Sequence, residues 1–151
     1  MTTIQQISSN RVLWMGVTAW ILAQIMKMLI STIVTKKFDI RRLLGDGGMP
    51  SGHSATVTAV AIGIGMEHGF QSTLFALASI FAVVVMRDAM GVRRETGKQA
   101  VAINKLLENM KEKNINVSSE DSLKEFIGHT PLEVLCGCLL GTLTAVVGCS
   151  I

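Results

Sequence analysis

Between Val12 and Val34 the chain carries 23 residues with a single charge, Lys27. At the helical rise this run extends about 34 Å, enough to cross a hydrocarbon core of about 30 Å. A segment of this kind does not fit a small soluble core, and the rest of the 151 residues agrees with it. The chain is 49% hydrophobic and 17% charged, and has no tyrosine and two prolines. That excludes intrinsic disorder and disfavours a strand-rich fold, which draws on aromatic and β-branched residues. The expectation is an all-α integral membrane helical bundle, forming a single domain over residues 1–151.

Three further apolar runs follow. Ala55 to Met66 is short, and reaches spanning length only if the helix includes Pro50 to Phe70. Leu74 to Met86 is similar and leads into Arg87 and Asp88, whereas Val134 to Ile151 is eighteen residues without a charge. About four spanning helices are therefore expected. Gly63, Gly65, Gly137 and Gly141 within these runs suit close helix contacts in lipid, where packing rather than dehydration drives association. Cys136, Cys138 and Cys149 lie within the last sixteen residues, inside an apolar run. They read as small buried packing residues rather than a disulfide framework.

Charge sets the expected topology. No cleavable signal peptide is evident, and the first long run reads as a signal anchor. Of the fourteen Lys and Arg residues, twelve fall in two places. One group follows the first run (Lys36, Lys37, Arg41, Arg42) and the other lies between the third and fourth. A four-span arrangement puts both groups on one side, and the positive-inside rule makes that side the cytoplasm, with both chain ends outside. Residues 93–128 would be a cytoplasmic insertion. Within it Ile103, Leu106, Leu107 and Met110 fall at i, i+3, i+4 and i+7, which predicts an amphipathic helix from about Thr96 to Lys113. A second short helix is expected from Ser118 or Ser119 to about Phe126.

Two polar clusters carry chemistry. The first, Gly45 to Ser54, ends in Pro50-Ser51-Gly52-His53-Ser54 directly before the second apolar run. Glycines admit close backbone approach, Pro50 suits a helix start, and free amides at a helix N-terminus attract anions. The same residues also make an ordinary turn and cap, at about even odds on composition alone. The second cluster is Gly128-His129-Thr130-Pro131-Leu132-Glu133. Thr130 and Glu133 have capping-box spacing with Pro131 at the first helical position, which explains Glu133 structurally. Glu133 is also placed to accept the His129 imidazole proton, and one residue can do both. Lys27, roughly midway along its run, reads as facing a protein partner or cavity rather than snorkelling. His68, at the far end of the second run, reads as interfacial and uninvolved.

Taken together, Pro50-Ser51-Gly52-His53-Ser54 and a later histidine with an acid four residues on resemble the type 2 phosphatidic acid phosphatase superfamily, which includes the vanadium haloperoxidases. Gly47 to Ala55, Asp88-Ala89-Met90-Gly91-Val92-Arg93-Arg94 and Gly128 to Val134 look more closely like its small divergent branch. The resemblance implies a metal-independent phosphatase without a cofactor, acting through a phosphohistidine. His129 would attack phosphorus, Glu133 would hold His129, and His53 would protonate the leaving alkoxide. Lys27, the Ser51 hydroxyl, the amides around Ser51 and Gly52, and Arg93 or Arg94 would bind the phosphoryl oxygens.

The chain departs from the wider superfamily in four respects. The first signature there is a lysine followed seven residues later by arginine and then proline, whereas Lys27 is followed at that spacing by Val34 and Thr35, leaving Arg41 or Arg42 to supply the charge. Arg93 and Arg94 precede His129 by more than thirty residues instead of a few. Glu133 stands where aspartate is usual. Four spans are fewer than the usual six, which a homodimer would offset. The expected partners are a phosphorylated lipid and the membrane, with no nucleic acid. A cytoplasmic site favours a phospholipid-synthesis intermediate such as phosphatidate or phosphatidylglycerol phosphate. The alternative is a catalytically silent relative that binds a phosphorylated lipid or a partner protein.

Overall fold

The structure, a computed structural model, describes residues 2–36, 48–112, 123 and 128–151, apart from the side chains of residues 93, 111 and 112. Six helices follow in order: α1 (Thr3–Ser8), α2 (Arg11–Thr35), α3 (Gly52–His68), α4 (Thr73–Met90), α5 (Val92–Glu112) and α6 (Pro131–Ser150). Among the described residues there is no strand. The chain is an all-α integral membrane helical bundle, as its apolar runs predict.

Each boundary has a local cause. Asn10 caps α2 by accepting from Leu13 N at 3.0 Å, and the helix stops at Lys36 in the left-handed region with φ 53°. Ser51 caps α3, and Gly69 at φ 86° ends it. Ser72 caps α4. The short α1, not anticipated above, is held by a Thr2 and Gln5 capping box whose spacing is visible in the sequence. The α5 helix begins four residues earlier than expected, directly after Gly91. The proposed helix near residues 118–126 and the loop arginines Arg41 and Arg42 lie outside the described residues.

Among the described residues α2, α6 and the run that begins with α4 at Thr73 are long and apolar enough to cross a membrane. The second apolar run departs from its expected extent. Pro50 does not open α3; it precedes the Ser51 cap, and Phe70 falls beyond Gly69, so α3 has 17 residues and rises about 25 Å. That is the lower end of spanning length. Its position fits this length, because α3 is packed against α2, α4 and α6.

Small side chains make that packing possible. Ala19 and Ala23 of α2 meet Ala55 and Ala59 of α3, all fully buried, with Leu140 of α6 against them. On α6, a Cβ placed on Gly137 would fall within 3 Å of the Ser51 carbonyl oxygen and Ser54 Cβ, and one on Gly141 would strike the Ala55 carbonyl. The α3 and α6 backbones therefore touch. Large apolar side chains point outward instead, including Ile25 and Leu29 on α2, Ile80 and Phe81 on α4, and Leu139 and Leu143 on α6. In water this surface would aggregate; in a bilayer it is the lipid face. The cysteines are free and half-buried rather than buried, and Cys138 Sγ lies 3.2 Å from Met86 Sδ.

The directions of α2, α3 and α4 alternate, and α6 runs parallel to α3. Arg11 Nη2 donates to the Gly148 carbonyl at 2.9 Å, joining the start of α2 to the end of α6. At the opposite end Ser51 N donates to the Glu133 carbonyl at 2.9 Å and His129 N to the Ala89 carbonyl at 3.0 Å, drawing together the start of α3, the end of α4 and the start of α6.

Replacing Gly141 by leucine forces the α3 and α6 backbones apart. The expected cost is at least the ~1–3 kcal/mol of core overpacking, read as a lowered midpoint of thermal unfolding in detergent, whereas Leu143→Ala on the lipid face leaves the midpoint within a degree or two of wild type.

Candidate functional site

The two polar clusters meet at this end of the bundle. His129 is 2% exposed, and its ring centroid lies 6.0 Å from that of His53, edge-on at 64°. Three helices fix this geometry. Helix α3 carries His53 as its second residue, the end of α4 holds the His129 backbone through Ala89, and α6 supplies Glu133 from its first turn.

Glu133 does the two jobs that its spacing suggests. Its Oε2 accepts from Thr130 N at 3.1 Å, closing the capping box with Thr130 Oγ1, and lies 2.9 Å from His129 Nδ1. Pro131 occupies the first helical turn as expected. A carboxylate on Nδ1 selects the tautomer whose proton sits there, leaving a lone pair on Nε2. That Nε2 is buried and has no hydrogen-bond partner among the described residues. An orphaned ring nitrogen in a dry site costs about 1–3 kcal/mol, a cost that a reacting partner would remove.

Positive character gathers around the same point. Lys27 is buried, and its Nζ lies 3.9 Å from the position a Cβ on Gly52 would take. An ammonium beside the positive end of α3 adds to a positive potential that suits an anion. Ser51 takes the capping part that its motif also allows. Its N–H is engaged by the Glu133 carbonyl, and its fully buried hydroxyl caps α3, accepting from Ser54 N at 3.3 Å and lying 3.0 Å from Ser54 Oγ. Ala55 N is likewise taken by the Ser51 carbonyl. The Ser51 amide is thus not one that an anion could take, and Gly52 and His53 supply the next amides of the first turn.

The arginines are only partly brought in. A Cβ on Gly128 would lie within 3 Å of the backbone and Cβ of Arg94, so the residue before His129 rests on Arg94 across the long insertion. The Arg94 side chain itself is exposed, and that of Arg93 lies outside the described residues. His68 stands at the other end of α3, as expected.

Sequence reasoning missed three neighbours. Trp20 approaches Gly52, with Cδ1 3.5 Å from the Cβ position; Gln24 is buried with Oε1 unpartnered; Ser54 is fully buried against Ser51. Trp20 and Gln24 stand seven and three residues before Lys27, and that helical spacing was the available signal. Among the described residues no group of three His, Cys, Asp or Glu side chains forms a candidate metal site.

The dual role of Glu133 separates two variants. Thr130→Ala removes only the cap and is expected to cost about 1 kcal/mol. Glu133→Ala also strips the buried imidazole of its acceptor, adding about 1–3 kcal/mol. Chemical denaturation of the two proteins reads the difference.

The chain matches the family model described as the divergent PAP2 family over residues 8–144, which includes every site residue above. It is 42% identical over 151 aligned positions to the "Uncharacterized membrane protein YuiD" of Bacillus subtilis (strain 168), covering 94% of this chain and 96% of that protein. No solved structure matches the chain.

Proposed function

This chain belongs to the divergent PAP2 family, and on that premise we propose that it is a metal-independent phosphatase of membrane lipids that carry a phosphomonoester or pyrophosphate headgroup. The observation that carries the reading is the His129 pair: Nδ1 2.9 Å from a carboxylate, and a buried, unpartnered Nε2 on a ring 6.0 Å from that of His53.

The chemistry follows from those positions. Nε2 of His129 attacks phosphorus, forming an N–P bond as the P–O bond to the lipid breaks. His53 gives its proton to the departing alkoxide. Glu133, hydrogen-bonded to Nδ1–H, stabilises the positive charge that develops on the imidazole. Water then adds to phosphorus, His53 takes its proton, and the N–P bond breaks to release phosphate and restore His129. Lys27 and the Gly52 amide hold the equatorial oxygens, where positive charge stabilises the phosphoryl transition state.

Purified protein in chelator-containing buffer is expected to release phosphate from phosphatidate or phosphatidylglycerol phosphate. His129→Ala and His53→Ala abolish release, and Glu133→Gln lowers kcat about a hundredfold, within the usual range for loss of acid–base assistance. Tight lipid binding without turnover in the wild type would instead identify a silent relative.

The twelve Lys and Arg residues that the sequence places after the first apolar run and between the third and fourth support a cytoplasmic site and a substrate presented from the inner leaflet. With Cys136, Cys138 and Cys149 replaced by serine, Thr96→Cys on α5 is expected to resist a membrane-impermeant thiol reagent in intact cells and to react once the cells are permeabilised. Labelling of intact cells reverses the orientation.

A further inference from the structure

A groove of about 620 Å3 runs along the seam of α2 and α6, at the end of the bundle opposite the histidines. Its lining is ordered along the helix axis. The outer end is polar, formed by Ser8, Ser9 and Arg11, and the groove then descends over Trp14, Leu22, Leu143 and Val147. From Arg11 to Leu22 the rise is about 16 Å, which is roughly half of a 30 Å hydrocarbon core, the depth of one leaflet. The apolar walls are exposed to the bilayer side, with Leu143 at 64% and Trp14 at 50%.

The polar end is built rather than loose. Arg11 Nη2 is tied to the Gly148 carbonyl at 2.9 Å, which fixes the guanidinium over the carbonyl end of α6 while using one of the five donors an arginine carries. Trp14 Nε1 donates to the Ser8 carbonyl at 3.1 Å, anchoring α1 beside it with an aromatic at the depth where such side chains favour an interface. The Ser8 and Ser9 hydroxyls donate to the Gln5 and Gln6 carbonyls, so Arg11 is the phosphate ligand, and a cation at a polar rim above an apolar slot one leaflet deep reproduces, in order, the phosphate and the acyl chain of a phospholipid.

We propose that this groove is a binding site for an anionic diacyl phospholipid of the leaflet opposite the histidines, its phosphate on Arg11 and one acyl chain between α2 and α6. The site is separate from the phosphatase chemistry. Its ligand is a phosphodiester, and neither His53 nor His129 lines the groove. A bound chain there would lie over the seam that Met15 already closes against Gly148 and Cys149, supporting the far end of the same helix pair whose near end carries Glu133.

Native mass spectrometry of the detergent-solubilised full chain, titrated with dioleoyl phosphatidylserine or with dioleoylglycerol, which has the same acyl chains and no phosphate, tests this. The wild type is expected to prefer phosphatidylserine about tenfold, in line with one charge-assisted contact. Arg11→Gln removes the preference, and Arg11→Lys keeps most of it. Leu143→Trp, which fills the slot, weakens both lipids, and His129→Ala changes neither. Water-soluble glycerophosphoserine is expected not to compete. Equal binding of the two lipids by the wild type, or an unchanged preference in Arg11→Gln, overturns the head contact. Full competition by glycerophosphoserine overturns the acyl slot. A dimer that Leu143→Trp dissociates would show that a second copy fills the seam, and would also overturn the proposal. None of these outcomes depends on phosphatase activity, so the two readings fail separately.

Discussion

Gly137 and Gly141 let the backbone of α6 lie directly on that of α3, and the geometry at the histidines depends on this approach. With the helices in contact, the Glu133 carbonyl reaches the Ser51 amide at 2.9 Å. That bond sets the height of α6 relative to the start of α3, and hence the height of His129 relative to His53. In lipid there is little hydrophobic force to press helices together, so van der Waals contact between small residues must hold the register. The alanine cluster of α2 and α3 continues the same close packing.

This economy of side chains explains how so short a protein builds a dry polar site. The functional groups lie at the ends of helices, where unpaired backbone amides already exist. Glu133 illustrates the consequence: one carboxylate oxygen caps α6 and takes the imidazole, while the same residue's carbonyl binds the neighbouring motif. Ser51 is used as thoroughly, its amide for α6 and its hydroxyl for α3. Such sharing leaves little freedom for the residues around His129, and the buried Lys27 stands beside the same helix end.

The two ends of the bundle differ in kind. At one, buried polar atoms converge between helix termini; at the other, a surface groove opens to the bilayer beside a tethered arginine. At the histidine end α5 leaves the end of α4 at Gly91, with Ile103, Leu106 and Met110 exposed on its surface and Asn104 paired to the Leu123 backbone in both directions at 2.9 Å. The insertion is thus tied to itself. Its attachment to the site is through Gly128 and the Arg94 backbone.

Much of this was legible beforehand because it is local. Apolar runs of spanning length, caps at Thr130 and Pro131, and the amphipathic period of α5 are properties of neighbouring residues, and a membrane makes them decisive by requiring every backbone group to be satisfied within a helix. The pairing of His129 with Glu133 was legible for the same reason, being one helical turn. Other features belong only to the assembled bundle. That the Ser51 amide is spent on Glu133, that Pro50 stays outside α3, that Trp20 and Gln24 join Lys27 near Gly52, and that Gly128 rests on Arg94 all depend on which surfaces touch. Those contacts join residues far apart in the chain, and only close packing of glycine and alanine faces selects them from the many that spacing would permit.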